Sequence, residues 1–247
     1  LKIRVAKLID TSINNYEYSI GKMKFINEIW AFIPARSGSS LKDKNIKKLK
    51  GKPLIYYSIK TAFQSKCFDK VIFSSDSKKY IDIALKIDKD LEIHKRNSKI
   101  SSATASEYSV FKDYIDKKDV LPLYFAHLRP TNPIRNIKTI KKVVKKFKKV
   151  QSKFSSMRLL NEMSKPAFWS CMVKKNKICS AINGDFDTSK YWIARQAFEK
   201  TYFVNCHIDL YKTRHILKNK NLWGNKVYGH IDNDNSVVDI DTVDDFH

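Results

Sequence analysis

Cysteine is scarce in this chain of 247 residues: Cys67, Cys171, Cys179 and Cys206 are scattered, and none forms Cys-x-x-Cys. That excludes a disulfide framework and makes reduced thiols the expectation, as in a cytoplasmic protein. No apolar run approaches the roughly 20 residues that span a membrane. The first residues carry no apolar core followed by a small-residue cleavage site, so they do not read as a signal peptide. A P-loop is excluded because no Gly-x4-Gly-Lys-Ser/Thr occurs. A Gly-x-Ser-x-Gly hydrolase elbow is missing too. His94, His127, His207, His215, His230 and His247 show no metal-ligand spacing. His127, near the end of an apolar run, reads as packing rather than catalysis. Repeats and low-complexity segments are absent.

Acidic residues are also few: 25 Asp+Glu stand against 48 Lys+Arg, a formal net charge of +23. Such a balance raises nucleic acid or an anionic membrane surface as partners. Only eight of the cations are arginine, and the lysines run along the whole length. Base readout and bidentate phosphate contacts favour arginine. The charge therefore reads as lysine-rich composition, with attraction of an anionic nucleotide as a by-product. Lys138 to Val150 shows this locally. Its apolar residues Ile140, Val143, Val144, Phe147 and Val150 recur at helical spacing, with lysines on the other face. That is a solvated surface helix rather than a nucleic-acid patch.

What is present is an alternation of short apolar runs and amphipathic stretches. Ile29–Ile33, Lys70–Asp76, Leu91–Arg96 and Leu121–Leu128 read as strands. Helical patterns begin at Pro53–Leu54, after Ser77, at Ser106 and near Lys138. This predicts a single α/β domain, an αβα three-layer sandwich with a mostly parallel sheet. In such sheets ligands bind beyond the carboxyl ends of the strands. The polar clusters beginning at Arg36, Ser74, Arg96 and Arg129 fall there. The loop Arg36-Ser37-Gly38-Ser39-Ser40, followed by Lys42, Lys44 and Asn45, combines small residues with cations. Backbone N–H groups can approach a phosphate there while side chains neutralise it. An ordinary basic surface loop is the alternative reading.

The spelling of these segments is similar to that of the acylneuraminate cytidylyltransferases, the CMP-sialic and CMP-nonulosonic acid synthetases. Ile33-Pro34-Ala35-Arg36-Ser37-Gly38-Ser39, Lys44-Asn45-Ile46 and Leu49-Lys50-Gly51-Lys52-Pro53-Leu54 resemble that family's opening signature. Further on, Ser74-Ser75-Asp76-Ser77, the segment Arg96 to Ser106, Leu128-Arg129-Pro130-Thr131-Asn132-Pro133-Ile134-Arg135, Arg195-Gln196 with Tyr202 to Cys206, and Val238 to Phe246 follow in the family's order. The chain departs from the pattern at the shortened Ser39-Ser40 loop, at Ala103 in place of an aspartate and at Glu107 in place of a serine. It departs again at Arg129 in place of a glutamine near the sugar, and at Cys206 in place of a glycine. That glycine normally permits a special backbone conformation.

The resemblance implies a Rossmann-like nucleotidyltransferase sheet and a reaction of CTP with a nonulosonic acid (sialic, legionaminic or related). It implies Arg36 and Lys44 on the phosphates, and Asn45, Arg96 and Ala105 around the nucleoside. Arg195 stands at the catalytic arginine position, and Arg129 and Asn205 face the sugar. Asp239 and Asp241 alternate on a strand so that both carboxylates share one face, which suits Mg²⁺. Capping of a following helix by Thr242 and the aspartates is the alternative. The family context further implies a homodimer, built through an antiparallel excursion within about residues 151–195. No nucleic acid or membrane partner is expected. Residues 1–22 read as an N-terminal extension to the 23–247 cytidylyltransferase domain. The rival readings are a CMP-KDO-type synthetase and a degenerate nucleotidyltransferase fold used as a basic nucleic-acid-binding module.

Overall fold

A computed structural model describes residues 18–20, 23–38, 41–97, 100–102, 104–234 and 238–246. The expectation for residues 1–22 therefore lies mostly outside the described residues, as do those for Ser39, Ser40 and Ala103. The first described element, β1 (Tyr18–Ile20), turns back antiparallel on β2 (Met23–Pro34), with Tyr18 opposite Phe25. Two short strands, β3 (Lys48–Leu49) and β4 (Lys52–Pro53), form a small ribbon after the first loop. Then follow α1 (Leu54–Ser65), β5 (Lys70–Ser75), α2 (Lys78–Ile87), β6 (Glu92–Lys95), α3 (Glu107–Ile115), β7 (Val120–His127) and α4 (Ile137–Val150). The second half contains β8 (Ser156–Glu162), β9 (Cys171–Lys174), β10 (Lys177–Ser180), β11 (Tyr202–Lys212), α5 (Thr213–Asn219) and β12 (Val227–Ile231).

The main sheet runs in the order β12-β8-β11-β7-β2-β5-β6, with β1 appended to β2. β7, β2, β5 and β6 are parallel to one another, and β12 is parallel to β8. Only β11 in that path opposes its neighbours, β7 on one side and β8 on the other. The strands read from their apolar runs are buried on both faces, and strict alternation sorts each strand between two cores. Ile29, Ala31 and Ile33 of β2 join Val71 and Phe73 of β5 against Ile55 and Ile59 of α1 and Ile140, Val143 and Phe147 of α4. Trp30 and Phe32 point the other way, with Ile72 and Phe125, onto Phe111 and Tyr114 of α3 and Ile216 of α5. The rings of Phe32 and Phe111 lie 4.3 Å apart at the centre of that second layer. Helices on both faces complete the three layers.

Local signals place the helix ends. The Ser77 and Ser106 side chains accept from the backbone N–H of Tyr80 and Ser109, and Asn136 caps α4 through the N–H of Lys138. Lys66, in a left-handed conformation, closes α1. α4 buries its apolar stripe and leaves its lysines to solvent, as its periodicity indicates. Among the described residues no helix is long and apolar enough to cross a membrane.

Three buried histidines tie the fold to pH. Burial lowers His94, lowers His127 well below the usual imidazole value, and lowers His207 to about 4. Each is held neutral, and a folded pKa below the unfolded one gives stability that is complete above about 6.5 and is lost as pH falls. His207 alone accounts for about 3 kcal/mol over that range, at 1.36 kcal/mol per unit. The melting temperature should therefore drop between pH 7 and pH 4.5, and less so in His207→Gln. A flat profile would contradict the assignment.

Candidate active site

The loop after β2 is fixed by the strand beside it. Ala35 N–H donates to Ser74 O (2.8 Å), and the Ser37 N–H and hydroxyl both donate to Asp76, at 2.9 and 2.6 Å. The Asn45 amide donates to Arg36 O (3.0 Å) and clasps the loop from its far side. Lys44 and Asn45 sit buried on a 3₁₀ turn, Lys44–Ile46, introduced by Asp43 in a left-handed conformation. These contacts aim Arg36 across the carboxyl ends of the strands, where its guanidinium donates to Ser102 O (3.0 Å). Arg96, just beyond β6, donates to the hydroxyl and carbonyl of Ser74, at 2.9 and 3.0 Å. Burial pushes Arg96 down to about 10, against the pull of Asp76.

These groups surround a cavity of about 370 Å³. Of the residues expected at the site, Arg36, Lys44, Asn45, Arg96, Ala105, Arg129 and Asp241 all line it. They come from five separate stretches of chain, brought together at the carboxyl ends of β2, β6 and β7.

Three expected residues stand elsewhere. Asn205 is 2% exposed, and its amide is spent inside the protein, on Asn161 Oδ1 (2.6 Å) and the N–H of His207 (3.0 Å). It does not line this cavity; it holds the bulged backbone of β11, where Cys206 takes φ 57°. The residue standing for a glycine thus adopts a glycine-like conformation, at a cost to an L side chain. Arg195 lies on an exposed 3₁₀ turn, Arg195–Ala197, 3.4 Å from Glu162, and does not line the cavity. Asp239 is exposed and also stands off the lining.

Nor do Asp239 and Asp241 lie on a strand: 238–241 is irregular chain, docked through Ile240, whose N–H donates to Thr131 O (2.7 Å). Capping is done by Asp245, which accepts from the N–H groups of Asp241 and Thr242. The Asp241 carboxylate remains available, 2.8 Å from Lys44 Nζ. Among the described residues no group of three or more His, Cys, Asp or Glu surrounds a common point. One or two hard carboxylate oxygens at the mouth of a cationic pocket still fit Mg²⁺, which keeps waters and shares substrate phosphates rather than demanding a protein cage.

Four contributors were not expected. Glu107 binds Arg129 bidentately, Nε to Oε1 at 2.8 Å and the second nitrogen to Oε2 at 2.9 Å. Asp209, fully buried on β11, takes the remaining nitrogen at 2.5 Å. Arg158 reaches the other Asp209 oxygen (3.4 Å) while its guanidinium lies 3.6 Å over the Trp223 ring. His127 lines the cavity as well. Burial works against the charge on Arg129, but Asp209 and then Glu107 outweigh it and raise its pKa. Burial likewise opposes ionised Glu107, yet its pKa is held down at about 2, and with His127 neutral the charge that holds it there is that of Arg129, bonded to both carboxylate oxygens. Arg129 is thus a guanidinium held on two sides, by Glu107 and Asp209, at the cavity wall. Sequence had flagged Glu107 and Arg129 as separate oddities; 22 residues apart on different elements, they gave no sign of pairing.

Comparison with known proteins gives the family. A profile of the cytidylyltransferase family matches residues 30–231. The N-acylneuraminate cytidylyltransferase of Escherichia coli O18:K1:H7 is 31% identical over 226 residues, 89% of this chain and 50% of that protein. The post-translational flagellin modification protein B of Campylobacter coli is 28% identical over 229 residues, 90% of this chain and 93% of that one. The chain spans about half the length of the curated N-acylneuraminate cytidylyltransferases it matches. A solved CMP:2-keto-3-deoxy-manno-octonic acid synthetase complexed with CTP superposes with a TM-score of 0.61 at 13% identity, over 87% of this chain and 94% of that one, a likeness of fold. By a profile match that spans most of its length, the chain belongs to the cytidylyltransferase family.

Proposed function

We propose that the protein activates a nonulosonic acid, sialic, legionaminic or related, with CTP to give the CMP-sugar and pyrophosphate. The observation that carries this is the convergence of Arg36, Lys44, Asn45 and Arg96 on one cavity at the carboxyl ends of parallel strands. Relatives named for cytidylyl transfer to N-acylneuraminate support the substrate class. In this reading Arg36 and Lys44 neutralise the triphosphate, while Asn45, Arg96 and Ala105 frame the nucleoside. The anomeric hydroxyl of the acid attacks the α-phosphorus and loses its proton to solvent water. A new O–P bond forms, the bond to the β-phosphate breaks, and pyrophosphate leaves. Catalysis of this kind is mostly positioning and charge neutralisation. Asp241, with Asp239 two residues away, would hold Mg²⁺, which supplies charge neutralisation for the departing pyrophosphate.

The protein is further proposed to work in the cytoplasm as a homodimer. Supporting the dimer is the excursion around the β9–β10 hairpin, where Val173 is 70% and Trp192 62% exposed, with Phe186 and Ile178 nearby in sequence. Exposed apolar patches of this kind mark interaction surfaces. Sedimentation at the mass of a single 28.8 kDa chain would remove that proposal.

The test of the nucleotide site is CTP stabilisation. CTP with Mg²⁺ should raise the melting temperature, and Arg36→Ala should weaken CTP binding about ten-fold or more, since charge-assisted hydrogen bonds are worth about 1.5–3 kcal/mol. Equal stabilisation of both proteins would place the triphosphate elsewhere.

A further inference from the structure

Arg96, in the cavity wall, is gripped along one edge by a single residue of β5. Its Nε donates to Ser74 Oγ (2.9 Å), and a terminal nitrogen donates to Ser74 O (3.0 Å). Behind Ser74 the contacts continue away from the cavity. Ser74 Oγ lies 2.9 Å from His94 Nδ1, and His94 Nε2 lies 2.8 Å from Asp113 Oδ2 on α3. Ser74 is fully buried and His94 is 4% exposed, so water does not compete for these bonds.

The two ends of this chain of contacts fix every hydrogen within it. A guanidinium only donates, so Ser74 Oγ accepts from Arg96. Burial opposes the charge on Asp113, but bonds from Lys117 and His94 outweigh it and keep the carboxylate ionised. An ionised carboxylate only accepts, so Nε2 carries the ring hydrogen. Burial, resisted by Asp113, lowers the His94 pKa, and the ring is neutral with that one hydrogen. Nδ1 is therefore an acceptor, and the Ser74 hydroxyl spends its hydrogen there. That orientation turns the oxygen lone pairs onto Arg96. With a residue at 94 that cannot accept, the hydroxyl is released to rotate and Arg96 loses a fixed partner.

His94 also packs, with its ring 5.3 Å from Tyr114 and 6.1 Å from Phe32. Packing alone asks only for an aromatic ring. The polar contacts ask for more, because they run unbroken from α3 to a cation of the site. Resting on the proposed nucleotide site, we infer that His94 is a positioning residue for it: through Ser74 it fixes the Arg96 guanidinium against β5, and Asp113 holds His94 in the tautomer that does so. His94 itself does not line the cavity.

The experiment measures the Kd for CTP with Mg²⁺ by calorimetric titration, and the melting temperature without nucleotide, in three variants. His94→Phe keeps a ring and deletes the acceptor, so CTP binding should weaken about ten-fold, one hydrogen bond to a charged group. His94→Asn loses ring packing but places an amide oxygen where Nδ1 stood. It should melt lower than His94→Phe and yet bind CTP more tightly. Asp113→Ala, at a half-buried position, releases the tautomer and should weaken CTP binding about three-fold. By charge alone, deletion of a carboxylate would favour the anionic nucleotide, so the direction of that change decides the matter if the His94 variants fail to fold. A Kd for CTP that follows melting temperature across the variants, or that is unchanged in all of them, overturns the inference alone. No CTP binding by the unaltered protein overturns the proposed nucleotide site and this inference with it.

Discussion

Asp241→Asn should lower turnover about a hundred-fold or more while leaving the melting temperature nearly unchanged. The carboxylate lines the cavity beside Lys44 with its own side chain 69% exposed, and an amide oxygen in its place can still accept from Lys44, whose side chain is 8% exposed, so the buried ammonium keeps a partner. Loss of the carboxylate removes the anionic oxygen donor at the mouth of a site otherwise lined by Arg36, Lys44 and Arg96. The amide keeps the volume and the backbone contacts that Asp245 makes with this turn. Activity should recover only in part at high Mg²⁺. Full turnover across a Mg²⁺ titration would show that Asp241 serves only to anchor Lys44.

The second large effect lies behind the pocket and acts through stability. Arg135 is buried and donates to three groups at once, His207 O (2.6 Å), Ser58 Oγ (2.8 Å) and Arg129 O (2.5 Å). It ties β11, α1 and the turn that carries Arg129 to one guanidinium. Burial, and after it the neighbouring Arg129, pushes its pKa down to about 9. Truncation leaves acceptors without a donor in a site closed to water, and each costs about 1–3 kcal/mol. Arg135→Ala should therefore cost about 3 kcal/mol or more, a fall of roughly 6–12 °C for a chain of this size. Arg135→Lys keeps the charge without the planar fork and should fall between. A melting temperature within about 2 °C of the unaltered protein would refute the clamp.

How far the sequence revealed this molecule depends on the kind of signal. Strands such as Lys70–Ser75 and helices such as Leu54–Ser65 were legible because apolar period and capping residues are local properties. The cavity wall was legible in part for a related reason: in a parallel sheet the residues just past each strand converge, so Arg36, Arg96 and Arg129 had to meet. Contacts between distant stretches were not. Nothing near Asn205 announces that its amide is consumed by Asn161 and the His207 N–H, and a family position alone had suggested the sugar. The Asp239–Asp241 alternation imitates a strand, but with no neighbouring strand to pair with it stays irregular and is pinned by Ile240 on Thr131. His127 looked like packing because it ends an apolar run. It is packed on Phe111, and it also borders the cavity with one nitrogen unpartnered.

The most direct test is pyrophosphate release with CTP and Mg²⁺ against a panel of sialic, legionaminic, pseudaminic and KDO acids. Release with a nonulosonic acid is the expected result, and it would name the sugar as well as the reaction. Release with KDO alone would move the protein to the sister reaction. Silence across the panel, with no rise in melting temperature on adding CTP, would contradict the proposed activity and leave a cytidylyltransferase fold without its chemistry.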